Sequence, residues 1–171
     1  MENIDQNPLW TYSLEVYQRE GVAPLCLQCQ DRFGCDVNLL LYGGWLAVQG
    51  LALTPEHLAR IDAGVDEWRQ RVVRPLRALR RELRGYAAAE DIRARISAVE
   101  LDAEQQQQLQ IYRLHQASAA LPGAGDTAEA NLALIVQQGA GDHASAGLVT
   151  EWAEGQDVPA LLRNLARLIA V

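Results

Sequence analysis

Residues 22–49, VAPLCLQCQDRFGCDVNLLLYGGWLAVQ, decide the fold, because they read as two helices joined by a tight turn. In the first, Val22, Leu25, Cys26, Cys29 and Phe33 recur at helical spacing and form one apolar face. Pro24 falls in the opening turn, where a missing N–H costs little. Gly34 supplies the left-handed residue that ends a helix, and Asp36 is placed to cap the next one. So short a link predicts antiparallel packing of the two helices.

The second helix, Val37 to about Gln49, is apolar on nearly every side, which predicts a central position. It is shorter than the ~20 apolar residues a membrane span needs. One stripe differs: Asn38, Tyr42, Trp45 and Gln49 share a side and have hydrogen-bonding tips. Gly43 and Gly44 lie mid-helix at a cost of ~1 kcal/mol each relative to Ala, so a close helix crossing or a ligand against the backbone is expected there. Asn38 in such a setting needs partners, and an interior polar spot with Asp31 or Arg32 nearby is the expectation.

The run QDRFGCDVNLLLYGGWL resembles the signature of a family of small proteobacterial helical proteins known only as a domain of unknown function. The matching positions are Gln30, Asp31, Gly34, Asp36 to Leu41 and Trp45. The likeness spans roughly Leu9 to Leu134 and fades toward the C-terminus. It implies no particular activity. Cys26, Cys29 and Cys35 stand outside the shared pattern.

Working outward, Asn7-Pro8 starts a helix that continues to about Glu20, ahead of Gly21. Thr54-Pro55-Glu56 is a cap, a first-turn proline and an acidic first turn. Val65, Trp68, Val72, Leu76, Leu79, Leu83 and Tyr86 then form the longest amphipathic stripe in the chain, with a kink expected near Arg74 ahead of Pro75. Arg74, Arg77, Arg81 and Arg84 lie opposite that stripe.

Residues 87–119 read as a second long helix, in which Gln105 to Gln108 look exposed or flexible. Leu121 to Gly125 is a break, and Asp126 with Glu129 makes a capping-box-like start for the next helix. Gly139-Ala140-Gly141 reads as a further break, His143 to Ala153 as a short helix, and Asp157-Val158-Pro159 as the start of the last one. No alternating β-branched pattern occurs. The expected fold is therefore an all-α single-domain bundle of about seven or eight helices around the apolar hairpin, with a core of about 8–120 and C-terminal helices 126–171 packing on it.

At 171 residues the chain can bury ~70% of its unfolded surface without staples. The opening MENIDQNP is unlike a signal peptide and no run reaches spanning length, so the cytoplasm is the expected place, with no membrane partner. Three cysteines and the absence of a metal-spaced partner set predict neither disulfide nor metal site; buried apolar roles suit them. All 15 basic residues are arginine, which excludes lysine-based covalent catalysis. The sequence contains no phosphate loop, nucleophile elbow, metal-spaced His pair or aspartate-rich magnesium motif, and no cofactor is expected. His57 reads as a surface residue.

Three functional readings follow. The first is a non-catalytic helical module that binds another protein or itself. The second is a small-molecule binder or enzyme with Asp31, Arg32, Asn38, Tyr42 and Trp45 around a pocket. The third is an anion or nucleic-acid binder through Arg74, Arg77, Arg81 and Arg84. The net charge of −7 and the lack of interleaved aromatics count against nucleic acid.

Overall fold

A computed structural model describes residues 7–145 and 158–170, with the side chains of 142–145 left out. Among the described residues there are eight α-helices and no β-strand; a lone antiparallel bridge joins Leu51 to Gly123. The helices are α1 (Pro8–Tyr17), α2 (Val22–Phe33), α3 (Val37–Val48), α4 (Pro55–Trp68), α5 (Arg74–Glu82), α6 (Glu90–Gln116), α7 (Ala128–Ser145) and α8 (Val158–Ile169). The fold class is all-α, and the residues gather into two compact units. Among the described residues, one holds 11–58, 119–145 and 158–170; the other holds 7–10 and 59–118.

In the first unit the turn chemistry acts as the sequence implies. Gly34 has φ 64 and its N–H returns to the carbonyl of Gln30, while the Asp36 carboxylate accepts from the Asn38 N–H. The helix that follows, α3, buries every residue from Asn38 to Leu46. Its two glycines are contact points for neighbouring helices. A Cβ on Gly43 would sit 2.7 Å from Ile135 Cδ1 of α7, and one on Gly44 would sit 2.5 Å from Tyr12 Oη of α1 and 2.8 Å from Ile169 Cδ1 of α8. The closeness of α7 at Gly43, and of α1 and α8 at Gly44, thus accounts for the loss of helix propensity at both positions.

The expected break at Gly139-Ala140-Gly141 does not occur, since α7 runs through it to Ser145. A side chain at Gly139 would collide with the Phe33 carbonyl at 2.7 Å and with the Cys35 backbone, so this glycine permits contact with the α2–α3 turn. The proposed helix at His143–Ala153 therefore falls partly within α7, and from residue 146 lies outside the described residues. The start of α7 also shifts: Asp126 accepts from the Ala128 N–H, but Thr127 stands between, its hydroxyl donating to the Leu51 carbonyl. At the far end of α8, Tyr12 Oη and Arg19 Nη1 donate to the carbonyls of Ile169 and Leu168, satisfying groups a helix leaves open.

In the second unit, Pro75 is accommodated by a π-turn over Arg69–Val73, with the Arg74 N–H reaching the Arg69 carbonyl. The wider turn absorbs the donor that proline lacks, so the distortion lies before Arg74. Two 3₁₀ turns, Leu83–Gly85 and Ala87–Ala89, lead into α6, which begins at Glu90 rather than Ala87. The glutamine run is not an exposed tract: Gln107 and Gln108 are fully buried, because Glu100, Ala103, Gln107 and Ile111 share the inward side of α6. Trp68 Nε1 donates to the Ala103 carbonyl at 2.9 Å and ties α4 to α6.

Candidate functional site

The polar stripe of α3 is enclosed. Asn38, Tyr42 and Trp45 are buried, Tyr42 completely, while Gln49 at the end of the stripe is exposed. Tyr42 Oη lies 2.7 Å from Nε2 of His57, and the two rings stack with centroids 6.2 Å apart. Trp45 also stacks with Tyr42, with ring centroids 6.1 Å apart. Burial pushes the Tyr42 phenol well above its ordinary value, so it keeps its proton. It can donate when Nε2 is bare and accept when Nε2 is protonated.

His57 is therefore an interior residue, not the surface residue its place near a helix start implied. It turns inward from the first turn of α4, which Thr54 caps by accepting the His57 N–H. Asp31 and Arg32 lie exposed on α2, on the side away from the buried Val22–Phe33 face.

A second buried polar centre had no forecast. Asn131, 1% exposed on α7, accepts from the Leu53 N–H through Oδ1 and donates through Nδ2 to the Gly43 and Leu51 carbonyls. One amide thus joins α7, the middle of α3 and the segment after it. A lone Asn inside the apolar run from Ala130 to Val136 was the available signal. Its importance depends on long-range neighbours that spacing does not reveal.

The three cysteines are free and buried. Burial raises the Cys26 thiol to about 12 and the Cys29 thiol to about 11, the latter despite Arg32 nearby, and it raises Cys35 further. Such thiols are weak nucleophiles at neutral pH. Among the described residues no group of three or more His, Cys, Asp and Glu side chains is arranged to hold a metal ion.

The arginine face divides. Arg77 donates from Nε to Glu100 at 3.1 Å and from Nη2 to Glu104 at 2.6 Å, and Arg80 forms a two-pronged pair with Glu100. Arg74 donates to the Gln70 side chain, and Arg74, Arg81 and Arg84 are exposed. Burial would raise the Glu100 carboxyl, but Arg80 and Arg77 outweigh it and hold it below the usual carboxylate range. Behind them, Arg69 bridges Asp62 at 2.6 Å and Asp66 at 2.7 Å, and its hydrogen bond lowers the Asp66 carboxyl.

The Arg77 and Arg80 pairs lie between α5 and α6, and the apolar stripe divides: Val65 is buried, Trp68, Val72, Leu76 and Leu83 are half-buried, and Leu79 and Tyr86 are left outside. α5 buries none of its residues. Leu79 is 44% exposed, Tyr86 67%, Ile92 53% and Val99 51%.

Residues 8–111 match the family described as "Protein of unknown function (DUF2390)". The chain belongs to that family. The matched stretch takes in the α2–α3 hairpin and most of α6, and it ends before α7 begins. No curated protein and no solved structure matches the chain. Among the described residues, no helix is long and apolar enough to cross a membrane.

Proposed function

We propose that this protein is a non-catalytic helical interaction module whose binding surface is the outer face of the α5–α6 hairpin. The observation behind this reading is that α5, whose apolar residues recur at strict helical spacing, buries none of them. Exposed patches of this kind on a folded chain mark association sites. The buried setting of Asn38, Tyr42 and Trp45 supports a structural role for that stripe rather than a substrate pocket. The engagement of Arg77 with the chain's own carboxylates supports a scaffold role over anion capture. Three unpaired, buried cysteines suit a reducing cytoplasm.

The test compares tagged full-length protein with Leu79→Glu plus Val99→Glu in proximity cross-linking inside the source cells. Loss of the cross-linked species, with an unchanged far-UV spectrum, is the expected result. Cross-links that persist in the variant refute this surface.

A further inference from the structure

Resting on that reading, we infer that the partner of the α5–α6 face is a second copy of this chain, joined through a two-fold axis running along the hairpin to complete a four-helix bundle. Arg80 pairs with Glu100, and Arg77 reaches both Glu100 and Glu104, which fixes α5 and α6 side by side and antiparallel. With that contact fixed, helical geometry places Leu79 and Leu83 of one arm and Ile92, Ile96 and Val99 of the other along the same side of the hairpin. Tyr86 extends this strip at the tip.

The spacing identifies what covers it. Leu76, Leu79, Leu83 and Tyr86 step by three and four, and Ile92, Ile96 and Val99 step by four and three. That alternation is the narrow seam of helices packing on helices, rather than the wide apolar face that lies on a lipid surface. Two antiparallel helices with a shared seam are half of a four-helix bundle, and an identical hairpin supplies the other half.

Charge selects the arrangement. Glu82 and Arg95 are exposed on the outer flanks of the seam, one on each arm. Counting from the Arg80–Glu100 pair, they stand within about 5 Å of the same height. A two-fold along the hairpin sets α5 over the partner's α6, so that each Glu82 meets an Arg95 across the interface, twice per dimer. The perpendicular two-fold would set α5 on α5 and α6 on α6, and would give up both pairings.

The experiment measures the mass of the full chain by light scattering across dilution. Wild type is expected at twice the 18.8 kDa chain mass at high concentration. Leu79→Glu plus Val99→Glu should be monomeric, and Glu82→Arg or Arg95→Glu alone should weaken the dimer at least tenfold. Glu82→Arg with Arg95→Glu in one chain should restore it, a rescue that a folding defect cannot produce. A dimer indifferent to Leu79→Glu plus Val99→Glu overturns the inference, as does a double charge reversal that fails to restore it. A wild type monomeric throughout, yet retaining cross-links in cells that need Leu79, overturns the second copy while the interaction module stands. A monomer without such cross-links overturns both.

Discussion

The α3 helix and the α5–α6 hairpin make opposite use of similar material. α3 is apolar all round and is enclosed along Asn38–Leu46, with glycines where neighbours come closest. In α5 two arginines, Arg77 and Arg80, face the partner helix, while Leu76 is half-buried and Leu79 faces water. The difference teaches that an amphipathic pattern defines two faces without saying which one is buried. In α5 the choice falls to Glu100 and Glu104, which offer Arg77 and Arg80 partly buried partners that leucine cannot match.

The largest effect that would test this contrast is on the α3 side. Asn131→Ala strips a partner from the Leu53 N–H and from two carbonyls, and should cost about 3 kcal/mol, lowering the melting temperature by roughly 10 °C. A change below about 1 kcal/mol would show that water replaces the amide easily. Next, Gly43→Ala should destabilise by roughly 1–2 kcal/mol in urea titration although alanine is the better helix former, because the new methyl meets Ile135. If the variant were more stable, the close approach of α7 would not explain the glycine.

On the hairpin side the effects are smaller. Glu100 is held below its ordinary value of 4.5, so it releases its proton more readily folded than unfolded. Its ion pairs therefore add stability above about pH 4.5 and lose it as the pH falls through the lowered folded value. Glu100→Gln should cost about 1 kcal/mol at pH 7 and progressively less as the pH falls below 4.5, read from urea midpoints across that range. A loss that stays constant as the pH falls would separate the Glu100 charge from stability. Smallest of all, Leu79→Glu at protein concentrations too low for association should change the urea midpoint by less than about 0.5 kcal/mol. A loss of several kcal/mol would mean that Leu79 belongs to the folded interior.

Much of the fold was legible because local chemistry dictates it. The left-handed Gly34, the Asp36 cap, Thr54 before Pro55 and the apolar circumference of α3 all depend on near neighbours in the chain. Less of the candidate site was legible. Spacing put Asn38, Tyr42 and Trp45 together, and their burial followed from the apolar helix around them. His57 and Asn131 were missed because each is defined by a partner far along the chain: Tyr42 for one, Gly43 and Leu51 for the other.

The all-α class and the helix ends set by local caps, as at Gly34 and Asp36, were thus determined by the sequence by itself, since hydrogen bonds within a helix and its caps are local. Tertiary structure alone decided whether a glycine breaks a helix or admits a neighbour, as at Gly139 against the Phe33 carbonyl. It alone decided that Gln107 and Gln108 are interior and that Leu79 of α5 faces outward. The physical reason is shared by all three. Burial and close contact are properties of pairs of surfaces, and a sequence displays only one member of each pair.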